Sequence, residues 1–371
     1  MRVIISGGGT GGHIFPAVAI ANSLRKADPS VEILFVGAEG KMEMEKVPAA
    51  GYSIKGLPVA GLQRKLTAKN LLLPFKVAKS YLMAGRIIKE FKPDIVVGVG
   101  GYASAPVLWN AQAKRIPCLI QEQNSYAGLT NRTLAKRAGK ICVAYDNMER
   151  FFPKDRIVFT GNPIREGFAV TTAEAKAEGI AHYGLDSEKK QILIIGGSLG
   201  CRTLNRSMVK WIEEGCPGGE NVEIMWQCGK YYEKDMLAFM QGRNLPYVHL
   251  SAFIDRMDLA YAAADLVVSR SGASSISELC VCAKACIFVP SPNVAEDHQT
   301  SNAMALVNKG AAAIVKDAEA EEKLMSEAMR LVNDAAALRK MEKNIAPLGI
   351  DDADDRIVKE IFALVGRKKQ A

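Results

Sequence analysis

The chain of 371 residues contains no apolar run approaching the ~20 residues that a membrane-spanning helix needs. Aromatic residues make up only 7% of the sequence, and they do not alternate with basic residues, so we do not expect a nucleic-acid-binding protein. The first residues already form an apolar β-branched run, and we therefore expect no signal peptide. The length suits two hydrophobic cores better than one.

Residues with the spacing of metal ligands are also missing. The eight cysteines contain no spaced pair of pairs, and Cys280, Cys282 and Cys286 have no fourth ligand nearby. Asp352 and Asp354 have the D-x-D spacing of some metal-dependent enzymes, but they precede the last predicted helix and are interpreted as its cap. We therefore expect buried cysteines in a reducing cytosol, no metal site and no cofactor.

Positive charge is concentrated in the first half of the chain. Residues 1–160 contain 23 Lys and Arg against 11 Asp and Glu, a net charge of +12. The whole chain has 48 against 40, a net charge of +8, so residues 161–371 carry −4. A basic half suggests contact with a large anion, and an anionic membrane surface fits this charge as well as nucleic acid does.

Three glycine-rich segments each follow a short apolar run. GGGTGGH at 7–13 follows a predicted strand and precedes a predicted helix that contains Pro16 near its start. GVGGYASAP at 98–106 and GGSLGCR at 196–202 repeat this strand–glycine arrangement. Glycines permit unusual backbone angles and let N–H groups face an anion at a helix N-terminus. The pattern predicts an α/β protein with two doubly wound parallel sheets and with ligand sites beyond the carboxyl ends of their strands.

The segment at 161–165, GNPIR, interrupts regular structure and marks the predicted hinge. We place an N-terminal domain at 1–163, joined by a C-terminal helix at about 348–371, and a second domain at 164–347. Polar residues end several predicted strands. They include EQN at 122–124 and RSGASSISE at 270–278, which predicts a helix N-terminus open to an anionic ligand.

The segment 70–83 is apolar on more than one helical face and contains several lysines. Two interpretations stay open. The helix either packs partly in the core, or it enters a membrane interface, where apolar side chains bury and lysines meet lipid phosphates.

The order of these motifs resembles the MurG family of N-acetylglucosamine (GlcNAc) transferases, which convert lipid I to lipid II in peptidoglycan synthesis. The matching segments are GGTGGH at 8–13, GGY at 100–102, EQN at 122–124, GNPIR at 161–165, GGSLG at 196–200, RSGASSISE at 270–278 and HQTSNA at 298–303. The resemblance implies the GT-B fold, in which two Rossmann-like domains face each other across a cleft. It also implies UDP-GlcNAc as donor and undecaprenyl-pyrophosphoryl-MurNAc-pentapeptide (lipid I) as acceptor, joined by a β-1,4 bond with inversion.

The resemblance further implies that the second domain binds the donor. Ser198 would meet the donor phosphate, Ile254 the uracil and Glu278 the ribose hydroxyls. The other implied donor-binding residues are Thr10, Gly11, Gly12 and Asn124 in the first domain, Arg165 at the hinge, and Ala273, Ser274, Ser275, Ile276, Ser277 and Gln299 in the second domain.

The same resemblance places the acceptor on the first domain, at His13, Tyr102 and Asn131. Inversion requires in-line attack and a base for the incoming hydroxyl. His13 is the preferred base and Glu122 the other candidate, and the sequence leaves this choice open. A polyprenyl acceptor implies a peripheral enzyme on the cytoplasmic face of the cell membrane. The expected membrane-contacting residues are Leu72, Leu73, Phe75, Lys76 and Lys79.

Two other enzyme classes share this type of fold. A nicotinamide-dependent dehydrogenase would need an acidic residue at the end of the second strand, but Glu39 is displaced past a glycine. A UDP-GlcNAc 2-epimerase would need no lipid acceptor, and it leaves the basic, apolar segment near 71–83 unexplained.

Overall fold

The computed structural model describes residues 1–59, 73–165, 167–197 and 199–370. The chain forms two compact units, Met1–Arg165 with Asp352–Ala371, and Glu166–Asp351. The units therefore divide two residues after the predicted hinge, and the returning segment begins four residues later than expected. Each unit contains one parallel β-sheet flanked by helices.

The described strands and helices follow in chain order. The strands are β1 (Arg2–Ser6), β2 (Glu32–Ala38), β3 (Ser53–Leu57), β4 (Ile95–Gly98), β5 (Cys118–Glu122), β6 (Lys140–Val143), β7 (Ile157–Phe159), β8 (Lys190–Ile195), β9 (Val222–Gln227), β10 (Val248–Ser251), β11 (Leu266–Ser269), β12 (Cys286–Phe288) and β13 (Ala313–Ile314). The α-helices are α1 (Gly11–Ala27), α2 (Glu43–Ala49), α3 (Leu73–Phe91), α4 (Ser104–Ala113), α5 (Leu129–Leu134), α6 (Ala173–Tyr183), α7 (Arg202–Glu213), α8 (Glu233–Met240), α9 (Met257–Ala263), α10 (Ala273–Val281), α11 (His298–Val307), α12 (Asp317–Val332), α13 (Ala335–Ile345) and α14 (Ala353–Gln370).

The sheet of the first unit has the strand order β3-β2-β1-β4-β5-β6-β7, and all its pairings are parallel. Val3, Ile4 and Ile5 of β1 are fully buried, because helices cover both faces of a central parallel strand. Val3 pairs with Ile33 of β2 on one side and with Ile95 of β4 on the other. The predicted doubly wound architecture is confirmed for this unit.

The second unit repeats the arrangement with the strand order β10-β9-β8-β11-β12-β13. Its central strand β8 carries the fully buried residues Ile192, Leu193 and Ile194. Local signals in the sequence set the helix ends around this sheet. The side chain of Thr172 accepts a hydrogen bond from the Ala175 N–H (3.2 Å) at the start of α6, and Gly184 ends the helix in the left-handed conformation.

The C-terminal helix α14 belongs to the first unit and packs against α1. The Ser23 hydroxyl donates to the Asp355 carboxylate at 2.7 Å, and Ile357 and Ile361 are fully buried in the core that contains Val3. The helix lies within the span of about 348–371 predicted from the sequence. Burying one face of α14 on α1 closes the core on that side of the sheet.

All eight cysteines are buried and unpaired, as the sequence analysis expected. Among the described residues, no helix combines the length and the apolar character needed to cross a membrane.

Candidate active site

In the first unit, the loops that follow β1 and β4 touch at the carboxyl edge of the sheet. The two strands are neighbours at the point where the strand order changes direction, which is where doubly wound sheets bind ligands. A Cβ atom on Gly101 (φ +84°) would lie 2.4 Å from the Gly8 carbonyl oxygen. Glycine at position 101 is therefore what allows the two loops to meet.

His13 lies at this junction. The helix α1 begins at Gly11 rather than near Pro16, so His13 is in the first helical turn and not in a preceding loop. Its Nδ1 atom is 3.1 Å from the Gly8 carbonyl oxygen and 3.2 Å from the Thr10 hydroxyl. A carbonyl can only accept, so this contact places a proton on Nδ1 and leaves Nε2 as the basic nitrogen of the neutral ring.

The glycine loop of the first unit differs from the expected anion cradle. The Gly9 N–H donates to the carboxylate of Glu43 at 2.9 Å, so this N–H is already used inside the protein. Gly11 and Gly12 stand in the first turn of α1, where backbone N–H groups have no helical carbonyl partner. The sequence analysis missed Glu43, because it lies 34 residues from Gly9 in an ordinary helical segment.

Glu122, the second candidate base, is a buried carboxylate at the end of β5 with 1% of its surface exposed. Its oxygens accept hydrogen bonds from the Asn124 N–H (3.1 Å), the Asn124 side chain (3.3 Å), the Gly128 N–H (3.1 Å) and the Asn131 side chain (2.9 Å). Burial raises the pKa of Glu122, while these donors oppose that shift. The geometry favours a carboxylate that orders the 122–131 segment over one that takes a proton from substrate.

The predicted acceptor residues differ in exposure. Tyr102 is 56% exposed and can meet a ligand directly. Asn131 is 2% exposed, and its amide group donates to the Gln121 carbonyl (3.2 Å) and to Glu122. The contacts of Asn131 therefore favour a positioning role for it, whereas Asn124 stays half-buried at the surface of the same segment.

In the second unit, β8 and β11 occupy the equivalent neighbouring positions. Ser198, the predicted phosphate contact after β8, lies outside the described residues. A Cβ atom on Gly200 (φ +85°) would lie 2.1 Å from the Cys228 carbonyl oxygen, so this glycine lets the loop after β8 pack on the loop after β9.

The helix α10 begins directly after β11 and contains six predicted donor-binding residues. Ala273 is 7% exposed and Ile276 only 2%, so the Ile276 side chain packs in the core, and the donor contact predicted for Ile276 stays a prediction that concerns its backbone. Ser274 and Ser275 are half-buried in the first turn, and the Ser277 hydroxyl donates back to the Ala273 carbonyl at 3.0 Å. The first turn of the helix thus presents the side chains of Ser274 and Ser275.

Glu278 faces the interior of the second unit and is 5% exposed. Its carboxylate accepts a hydrogen bond from the Tyr261 hydroxyl at 3.3 Å, which orients the side chain from α9. Ile254 precedes α9 and is 6% exposed. We therefore expect its backbone, and not its side chain, to contact the uracil ring of the donor. The neighbouring Phe253 is 42% exposed, with the Lys230 ammonium 5.5 Å from its ring centre.

Two further predicted residues are Gln299, in the first turn of α11, and Arg165. The Gln299 Oε1 atom accepts from the Ser291 N–H at 2.8 Å, which leaves its amide NH₂ as the donating side. Arg165 is exposed, and it is the last residue of Met1–Arg165, the longer of the two segments that form the first unit. Within the described residues, the buried hydroxyls of Ser271 and Ser274 have no hydrogen-bond partner. Ser271 lies two residues after the end of β11 and is a candidate that the sequence analysis quoted but did not select.

On α3, exposed apolar side chains share a helical face with basic ones. Phe75 is 72% exposed and Leu82 is 66% exposed, and Lys79 lies between them at helical spacing. The opposite face carries the buried residues Ser80 and Ala84. Leu72 lies outside the described residues, Leu73 is the first residue of α3, and Lys76 is exposed. For Phe75 the core interpretation is therefore wrong.

Comparisons with known proteins connect both units to one family. The model of the glycosyltransferase family 28 N-terminal domain matches residues 3–143, and that of the family 28 C-terminal domain matches residues 191–357. The chain belongs to glycosyltransferase family 28. The resemblance found in the sequence is thereby confirmed, and the family 28 chain has the GT-B type of fold.

Relatives of this family 28 chain match it over nearly its whole length. A Parabacteroides distasonis protein is 54% identical over 368 residues and covers 99% of both chains; it is named UDP-N-acetylglucosamine–N-acetylmuramyl-(pentapeptide) pyrophosphoryl-undecaprenol N-acetylglucosamine transferase. A Flavobacterium psychrophilum protein of the same name is 51% identical and also covers 99% of both chains.

Solved structures give the same picture of the fold. The crystal structure of Acinetobacter baumannii MurG has a TM-score of 0.78 and is 28% identical, covering 98% of this chain and 99% of that one. A UDP-GlcNAc 2-epimerase from Neisseria meningitidis, solved with UDP-GlcNAc, has a TM-score of 0.65 at 15% identity, covering 98% and 100%. At that identity the epimerase shows a shared fold alone.

Among the described residues, no three His, Cys, Asp or Glu side chains are grouped in the manner of a metal site.

Proposed function

We propose that this family 28 chain transfers GlcNAc from UDP-GlcNAc to the MurNAc 4-hydroxyl of lipid I and so forms lipid II, the precursor of peptidoglycan. The observation that carries the proposal is the 54% identity to a transferase of that name over 99% of both chains. The arrangement of polar residues at the carboxyl edges of both sheets supports it.

The donor binds to the second unit. The start of α10 offers the half-buried Ser274 and Ser275 at a helix N-terminus, where a diphosphate is favoured. Glu278, held by Tyr261, accepts the ribose hydroxyls. Gln299 donates its amide NH₂ to the phosphate or the sugar, and Arg165 contacts the nucleotide.

The acceptor binds to the first unit, beside His13 and Tyr102. The 4-hydroxyl oxygen attacks C1 of GlcNAc from the side opposite the UDP oxygen, and the bond from C1 to that oxygen breaks as the new bond forms. His13 Nε2 takes the hydroxyl proton, and UDP leaves with the bonding electron pair. Backbone N–H groups and helix dipoles stabilise the leaving diphosphate, so the proposal needs no cofactor.

The enzyme reaches its lipid substrate from the cytoplasmic face of the cell membrane, as a peripheral protein. The exposed face of α3, with Phe75, Leu82 and Lys79, enters the interface. Trp109 on α4, which packs against α3, is 39% exposed and adds an aromatic side chain of the kind found at membrane surfaces. The net charge of +12 in residues 1–160 favours anionic lipids, and nucleic acid is not a proposed partner.

The proposal is tested by incubating the purified protein with radiolabelled UDP-GlcNAc and a lipid I analogue. The expected result is a labelled lipid product and one UDP released per sugar transferred. Parallel reactions without acceptor test the alternative hypothesis that the protein is a UDP-GlcNAc 2-epimerase. Conversion of UDP-GlcNAc to its 2-epimer, with no transfer when acceptor is added, would replace the transferase proposal with that alternative.

A further inference from the structure

Glu43 is a buried carboxylate to which the proposed reaction assigns no part. It is 1% exposed, and it lies on the short helix α2 behind the glycine loop. Its Oε1 atom accepts the Ala38 N–H and its Oε2 atom accepts the Gly9 N–H, each at 2.9 Å. A Cβ atom on Gly8 would lie 2.1 Å from Glu43 Oε1, and one on Gly37 would lie 2.6 Å from Glu43 Cγ. Gly8 in the loop and Gly37 in β2 therefore leave the room that the Glu43 side chain occupies.

The two hydrogen bonds that Glu43 accepts fix different segments of the chain. The bond to Ala38 joins residues only five apart and fixes the turn before α2. The bond to Gly9 spans 34 residues and fixes the loop before α1. A side chain that only stabilised its own turn would need the first bond and not the second.

The Gly9 N–H and the Gly8 C=O are the two ends of one planar peptide group. Glu43 accepts from the N–H end at 2.9 Å, and His13 Nδ1 lies 3.1 Å from the carbonyl end. A carboxylate on the N–H draws electron density towards the carbonyl oxygen, because hydrogen bonds in a chain polarise one another. The carbonyl then becomes a stronger acceptor for the proton on Nδ1.

We propose that Glu43 is a positioning residue for His13 and acts through the Gly8–Gly9 peptide group. It fixes the ring orientation and the tautomer with the proton on Nδ1, and it supports the positive charge that the ring gains when Nε2 takes a proton. This arrangement performs the task of the carboxylate in a carboxylate–histidine pair, with one peptide group inserted between them. The inference rests on the proposed role of His13 as the base.

The tautomer can be observed without catalysis. The protein contains four histidines, so ¹⁵N-histidine labelling gives few signals, and the His13 signals are those lost in His13→Gln. The wild-type neutral ring is expected to carry its proton on Nδ1. In Glu43→Gln, which keeps the side-chain shape and removes the charge, we expect most of the population to carry the proton on Nε2.

The same variant is expected to lose about 10- to 100-fold in kcat, with the KM for UDP-GlcNAc within about twofold of wild type. Glu45→Gln is the matched control, because Glu45 is exposed on the same helix and its loss changes the charge equally. An unchanged Nδ1–H tautomer in Glu43→Gln, or the same loss of kcat in Glu45→Gln, overturns the inference.

A second measurement covers the case in which Glu43→Gln does not fold. If Glu43 and His13 are linked through the Gly8–Gly9 peptide group, a link called the relay below, the Gly9 amide proton resonance should shift when His13 becomes Ala. This resonance is observed with selectively labelled glycine. A Gly9 resonance that ignores this substitution overturns the relay. If His13→Ala keeps full kcat, the proposed base is wrong instead, and the tautomer result still reports on Glu43 separately.

Discussion

Replacing two exposed apolar side chains of α3, Phe75 and Leu82, tests how the enzyme reaches its lipid. Phe75 is 72% exposed and Leu82 is 66% exposed. Full burial of such a side chain is worth about 1.5–3 kcal/mol, so the exposed fractions offer about 1–2 kcal/mol each to an interface. Phe75→Ser with Leu82→Ser should remove about 3 kcal/mol of membrane affinity, or roughly a hundredfold in the partition constant.

The measurement is sedimentation with vesicles that contain anionic lipid, at low and high salt. Wild type should bind at low salt and dissociate as salt rises, since basic residues near the surface add about 1 kcal/mol each. Because both side chains are exposed, the double variant should keep its free energy of unfolding within about 0.5 kcal/mol. Leu237→Ser is the matched control, because Leu237 is 55% exposed on α8 of the other unit.

Three results would refute this reasoning. Wild-type protein could fail to bind anionic vesicles at low salt. The double variant could bind as wild type does. The Leu237→Ser control could lose as much affinity as the double variant, which would mean that any exposed leucine matters equally.

Three other predictions follow from buried or partnered groups. Glu278→Ala removes a charged acceptor worth roughly 1.5–3 kcal/mol, so calorimetry should show UDP-GlcNAc binding about 10- to 100-fold weaker in a folded protein; normal binding would remove Glu278 from the donor site. His13→Ala should lower kcat by about 10²- to 10⁴-fold with little change in donor KM, and an unchanged kcat with a lipid I analogue would exclude it as the base. Burial lowers the pKa of Lys284 from 10.5 to about 8. Between those values the unfolded state holds one more proton, so stability rises with pH, by about 3 kcal/mol in all. The free energy of unfolding of wild type minus that of Lys284→Met should therefore rise from pH 7 to 10.5. In a Trp109→Phe background, the fluorescence of the remaining tryptophans reports the unfolding of the second unit. A difference that stays flat with pH would contradict the lowered pKa.

The fold was predictable because its signals are local. Short β-branched runs such as 192–195 predict buried parallel strands, and a glycine segment after each predicts the turn at the carboxyl edge. The end of each element was less predictable. The helix α1 begins at Gly11, five residues before Pro16, since glycine does not signal a helix start and the fold supplies the packing that forms it.

The site was predictable in position but not in the task of each side chain. The EQN segment at 122–124 begins at the last residue of β5, yet the hydrogen bond that Glu122 accepts from Asn131 depends on α5, which the sequence places but does not orient. The role of Glu43 depends on a contact across 34 residues, and no local pattern marks it. Ile276 shows that the motif does not reveal burial, since this predicted donor contact has a side chain that packs in the core.

The surface of α3 could have been resolved by periodicity. The buried positions Ser80, Ala84, Ile87 and Ile88 repeat at helical spacing and define one face. Phe75 and Leu82 fall outside it, so the apolar character on a second face already indicated exposed apolar side chains.

The return of α14 to the first unit has a consequence for biosynthesis. The segment 166–351 lies between the two parts of the first unit in the chain, and it is continuous within the second. A ribosome that adds about 5–20 residues per second needs on the order of 10 to 40 seconds to make it. The nascent first unit must wait that long for Ile357 and Ile361, which close its core. The half that is synthesised first is therefore completed last, and its apolar α1 surface stays uncovered until the end of the chain is made.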